Sequence, residues 1–183
     1  MAERSNRNGV AYSLTVIAPI VAGHEEELRE HIESLPMGPD DPLARLGSLH
    51  FSRIQIFSDL VYQGEPQKHD TLKGSHLVFT SSFDGDLSTY LAAICDRLGE
   101  DADGWWRHCA GYPGTAERAA FERWIRDHQV DSSMFSVAYP QATVADVLDS
   151  LALRERIVEF AAAAQGAGPE ELQRRFLAEF ADR

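Results

Sequence analysis

Residues 75–98 read SHLVFTSSFDGDLSTYLAAICDRL, and this stretch decides the fold. His76 to Phe83 are rich in β-branched and aromatic types and read as a strand. Asp84-Gly85 is a turn pair, and Asp86 can then accept a hydrogen bond from the free amides of a helix start. Beyond it Leu87, Tyr90, Leu91, Ile94 and Leu98 recur at three- and four-residue spacing, the stripe of an amphipathic helix. A strand, a tight turn and a helix in such quick succession must pack helix on sheet.

The flanking chain supplies the partners of this unit. Upstream, Ser13 to Ile20 reads as a strand with Leu14, Val16, Ala18 and Ile20 on one face. After Gly23, the acids Glu25, Glu26 and Glu27 load the first turn of a helix, where the macrodipole favours negative charge. That helix presents Leu28, Ile32 and Leu35 and stops before Pro36. Leu49 to Phe57 is the next strand, with polar groups on both faces, and the long polar connection Ser58 to Ser75 suits a functional or partner-contacting loop. Downstream, the aromatic segment Gly104 to Gly114 leads into a helix expected over Thr115 to His128, and Met134 to Tyr139 reads as a fourth strand. Two helices follow, one capped by Thr143 and one opened by Pro169.

The division expected is a flexible N-terminus over residues 1–12, an α+β domain over 13–140 and a C-terminal helical extension over 141–183 that packs on the same domain. A formal charge of −12, from 17 basic and 29 acidic residues, repels phosphate backbones and anionic lipid. Nucleic acid and membrane surfaces are therefore not expected as partners. No apolar run approaches the ~20 residues of a membrane span, and the N-terminal residues lack the apolar core of a secretory signal, so a cytoplasmic location is expected. Cys95 and Cys109 do not form a disulfide framework and are expected as thiols.

In order, the elements run strand, helix, strand, strand, helix, strand, which is the ferredoxin-like βαββαβ arrangement, an antiparallel sheet with helices on one face. Over Ser13 to Pro140 the chain resembles the dimeric α+β barrel superfamily, in which two such sheets meet face to face around a cavity. That resemblance implies a homodimer and a small organic ligand. It also implies oxygenation, cyclisation or isomerisation of an aromatic or polyketide-like substrate without a cofactor. Ser81-Ser82-Phe83-Asp84-Gly85 partly resembles the Gly-x-x-Asp-Gly motif of the dye-decolorising peroxidases, with Ser81 in place of the leading glycine, and this implies haem as the alternative cofactor.

The candidate chemistry falls into three groups. His24, Glu27 and His31 share one helix face and are metal-ligand types, but they lack both a further ligand and the four-residue histidine spacing of helical zinc motifs. They read as a solvated acidic face, and no metal is expected. Trp105, Trp106 and Tyr112 bracket His108, either as an aromatic wall around a planar ligand or as a packed connector, with His108 as acid, base or haem ligand. His108 and Cys109, being adjacent, point apart and cannot serve each other.

On the strands, His50 projects with Ser52, and Arg53 with Gln55, while His76 and Thr80 lie on the neighbouring strand. Alternation leaves open which set faces a pocket. His50, Arg53, His76 and His108 are the expected groups for proton transfer and oxyanion stabilisation, with Asp84 a lesser one. Trp105, Trp106, Tyr112, Gln55 and Thr80 are the expected substrate contacts. From a different class, a non-catalytic interaction module is the remaining alternative, since the C-terminal helices are apolar on more than one side.

Overall fold

The computed structural model describes residues 5–62, 64–66 and 72–181, so part of the Ser58–Ser75 connection and the first four residues lie outside them. The chain separates into two compact units, Met1–Val144 and Ala145–Arg183.

The first unit is α+β. Its sheet contains β1 (Arg7–Asn8), β2 (Ala11–Pro19), β3 (Leu49–Phe57) and β4 (His76–Asp84) in the order β1-β2-β4-β3, with antiparallel neighbours throughout. Helices α1 (Glu25–Ser34), α2 (Leu87–Arg97), α3 (Gly99–Trp106) and α4 (Arg118–Asp127) flank it. Alternation along β4 is strict: Leu77, Phe79, Ser81 and Phe83 are buried, and the residues between them are half-buried. The buried set joins Leu14, Val16 and Ala18 of β2 with Leu28, Leu91, Ile94, Trp106, Phe121 and Ile125 of the helices in one core.

The quoted stretch folds as its pattern dictates. Asp86 caps α2, accepting from the Thr89 backbone amide at 2.9 Å and the Thr89 hydroxyl at 2.7 Å. Tyr90 of α2 stacks on Phe83 of β4 with ring centroids 3.6 Å apart and planes 3° from parallel. That contact fixes the helix to the strand it follows.

Five expectations are corrected. The sheet is open and does not close into a barrel: β1 at one edge has only two residues, and among the described residues β3 at the other edge pairs only with β4. The barrel resemblance therefore fails. The peroxidase motif fails with it, because Asp84 is committed to structure: Oδ1 lies 2.8 Å from His50 Nε2, and Oδ2 accepts from the Val144 amide at 2.7 Å.

Met134–Tyr139 is not a strand. The free edge of β2 is satisfied instead by β1 and by residues 128–130, where the Ile17 amide donates to His128 O and the Val130 amide to Thr15 O. Gly9 (φ +62°) makes the turn between β1 and β2, and a Cβ there would stand 1.8 Å from the Pro140 carbonyl oxygen. The start of the chain, expected as loose, thus holds β1 and the buried Asn6, whose side-chain oxygen accepts from the Ser132 amide. Finally, α4 begins at Arg118 rather than Thr115, because the Thr115 amide and hydroxyl both donate to Asp103.

Helix α5 (Val144–Ala163) leads into the second unit, which also holds α6 (Pro169–Phe180). Phe160, Phe176 and Phe180 pack edge to face or tilted, and Arg156 donates to Glu179 while lying over the Phe180 ring. Neither helix contains a buried residue, and Val147, Leu148, Leu151, Ile157, Val158 and Leu177 are exposed. Among the described residues no helix is long and apolar enough to cross a membrane.

The cap offers a direct check. Thr89's two hydrogen bonds hold the Asp86 carboxyl below its ordinary value. Because the native value is depressed, the stabilisation is fully present above the unfolded value of about 3.9 and is lost as pH falls through the native value. Asp86→Ala is expected to lower stability by about 1 kcal/mol at neutral pH. In urea unfolding at a series of pH values, the gap from the unaltered protein should narrow as the pH falls through the depressed native value.

Candidate metal centre

Two stretches far apart in the chain are joined by backbone pairing at the end of β2. The Val21 amide donates to the His108 carbonyl at 2.9 Å, the Ala110 amide donates to the Pro19 carbonyl at 2.8 Å, and Ile20 and Cys109 form an antiparallel bridge. Immediately afterwards Gly23 (φ +89°) turns the chain into α1. His24 takes the N-cap position without capping through its side chain, and Glu25 bonds the Gly23 amide instead. Leu28, 0% exposed, seats α1 on the core. The imidazole of His24 is thereby directed along the surface toward His108.

The result is a cluster of ligand types. His24 Nδ1 lies 3.3 Å from His108 Nδ1, and Glu27 Oε2 lies 4.0 Å from that same His108 nitrogen. One ligand atom from each of the three residues lies within 4.8 Å of the others. Two nitrogens bound to one tetrahedral zinc ion at about 2.05 Å would stand about 3.3 Å apart. The histidine pair already has that separation. His108 is 2% exposed, His24 is half-buried, and the Glu27 side chain is 65% exposed, so the cluster has a rigid inner wall and an open outer side.

The electrostatics are mixed. Burial lowers the His108 pKa below the ordinary histidine value, the Glu27 carboxylate opposes this, and Arg107, His24 and His31 reinforce it. A neutral imidazole is the form that ligates metal. Arg107 donates from Nε to His108 Nε2 at 3.4 Å, and its guanidinium lies 3.9 Å from Glu27 Oε1. As arranged here, the His108 proton therefore belongs on Nδ1, between the two histidines. A metal ion at Nδ1 would displace that proton to Nε2 and turn the Arg107 donor away.

This cluster overturns the expectation of a protein without metal or cofactor. Two of the three residues that share the α1 face, His24 and Glu27, do converge, and the group that completes the cluster is His108. No spacing rule could supply it, since 84 residues separate His24 from His108.

The other expected residues are distributed as follows. Trp105 and Trp106 are 0% exposed and form part of the core rather than a wall around a ligand, because they pack on each other and on Phe79, Phe121 and Trp124. Tyr112 packs among the same rings and donates its hydroxyl to Asp103 at 2.6 Å. Arg53, Gln55, His76 and Thr80 do share the sheet face turned away from the core, where Arg53 pairs with Thr80 and Gln55 with Val78 in register. Gln55 and His76 line a shallow cleft of about 350 Å³ there, with Ile17, Phe57, Leu60, Leu72 and Val78. His50 is displaced from simple alternation by an irregularity between Leu49 and Phe51, and it is tied to Asp84. His108 belongs to none of these groups.

No family model, curated protein or solved structure matches the chain.

The thiols are unsuited to nucleophilic work. Cys109 is 3% exposed, and burial pushes its thiol up to about 12, while burial also raises that of Cys95. With an aromatic disulfide reagent at mildly alkaline pH, Cys109 is expected to react only after denaturant is added. Rapid reaction of both thiols in the folded protein would contradict this placement.

Proposed function

We propose that this protein binds a divalent transition-metal ion through His24, Glu27 and His108. We further propose that the ion's outward side takes a water or a small oxygen-donor ligand. The supporting observation is the convergence of three ligand atoms within 4.8 Å around a histidine set in the core. Imidazole with carboxylate suits zinc and its neighbours rather than calcium or magnesium. Three protein ligands with a fourth position open are the pattern of catalytic rather than structural zinc sites. In that position the ion would supply Lewis acidity or an activated water, and the exposed Arg107 guanidinium beside it suits an anionic ligand. Metal-assisted chemistry on a small oxyanionic or carbonyl-containing molecule is the function this favours.

The fold reading that accompanies it is ferredoxin-like, supported by the antiparallel order β2-β4-β3 with a helix between β2 and β3 and another after β4. An aromatic or polyketide-like substrate loses the resemblance that motivated it. What still favours a small organic ligand is the apolar cleft beside Gln55 and His76. The second reading, a non-catalytic module that assembles with a second copy of the chain, is supported by the exposed apolar residues of α5 and α6. A dimeric mass in light scattering would favour it.

The metal reading is tested by titrating metal-stripped protein with Zn²⁺ against a chromophoric chelator. One equivalent is expected to bind, and His24→Ala and Glu27→Gln are each expected to weaken binding at least about tenfold while leaving the circular dichroism unchanged. Absence of stoichiometric binding, or equal binding by both variants, would overturn it.

A further inference from the structure

One turn along from the proposed centre, the contact between α1 and α3 contains an unusual pair. The Nε2 atom of His31 is buried and has no hydrogen-bond partner among the described residues, although buried polar atoms ordinarily have one. It lies against Gly104, where a Cβ would stand 2.5 Å from Nε2 and 2.8 Å from Cε1 of the same ring. Gly104 is inside a helix, and its φ is not in the left-handed region. Glycine is a poor helix former and is not needed for the backbone here. What its missing side chain provides is room for an imidazole.

The placement of that imidazole follows from the helices. His31 is four residues after Glu27 and seven after His24, so all three share one face of α1. Gly104 lies four residues before His108. The His31–Gly104 contact is therefore displaced from the His24–Glu27–His108 cluster by about one turn, some 6 Å along the axis. A change of side-chain rotamer spans such a distance.

We infer that His31 is a fourth protein ligand of this centre: its imidazole rests in the notch at Gly104 and swings to the metal ion when one binds at His24, Glu27 and His108. The inference rests on the metal reading above. It makes the resting bound site a three-histidine, one-carboxylate set, in which His31 holds the fourth position until an oxygen-donor ligand takes it and the imidazole returns to Gly104.

X-ray absorption on Zn²⁺-loaded protein counts the imidazoles directly. Three are expected in the unaltered chain and two in His31→Ala, whose Zn²⁺ affinity should fall about tenfold or more. Gly104→Ala supplies the second arm. Its Cβ would crowd the ring out of the notch in the stripped protein, a cost that the better helix propensity of alanine offsets in part. Saturating Zn²⁺ should therefore raise the melting temperature of this variant more than that of the unaltered protein, because the imidazole is then at the metal. Two imidazoles in both proteins, with His31→Ala binding Zn²⁺ as tightly as the unaltered chain, would overturn the inference while leaving the three-residue centre standing. An equal Zn²⁺-induced rise in the two proteins would also count against it. If the unaltered chain binds no Zn²⁺, the centre and the mobile ligand fail together.

Discussion

The burial of Trp106 is the contact on which the rest depends. Its ring meets Phe79 of the sheet with centroids 5.3 Å apart, and it meets Phe121 at 5.3 Å, Trp105 at 5.7 Å, Tyr112 at 6.3 Å and Trp124 at 6.4 Å. Burying a large aromatic side chain contributes on the order of 2–3 kcal/mol, and specific ring pairs add to that. Trp106 is the last residue of α3, so this packing also determines where the chain leaves the helix. Two residues later His108 is held by the Val21 amide. Core packing thus sets the position of the proposed inner ligand.

The outer ligands are set differently. His24 and Glu27 occupy the first turn of α1, where Leu28 supplies the anchor and the rest of the turn is acidic and solvated. A buried histidine facing more exposed groups would let an ion enter from solvent without opening the core. The overall charge of −12 favours approach of a cation. Arg107 opposes it locally through its contacts with His108 and Glu27. Binding would therefore exchange one positive group for another at the Glu27 carboxylate.

Local patterns in the sequence carried much of the fold. The alternation of β4, the Asp86 cap and the stripe of α2 are short-range features, and they are found as read. So is β3, with the same bounds. What failed involved competition between distant segments. Met134–Tyr139 has strand-forming residues, yet the edge of β2 is already occupied by β1 and residues 128–130. Helix α3 was hidden because Gly99 and Gly104 weaken its local propensity, and tertiary packing of Trp105 and Trp106 overrides that weakness. The irregularity beside His50 moved that residue out of its alternating set and onto Asp84. The candidate site was half legible: the α1 face shows His24 and Glu27, while His108 joins them only through the pairing of residues 108–110 with 19–21.

The central claim is that the core-held imidazole of His108 and the first turn of α1 share one metal ion. Anomalous diffraction at the zinc edge, from crystals grown with one equivalent of Zn²⁺, tests it most directly. A single strong peak between Nδ1 of His24, Nδ1 of His108 and the Glu27 carboxylate is the predicted result. A peak held elsewhere on the acidic surface, with the two imidazoles still hydrogen-bonded to each other, would contradict it.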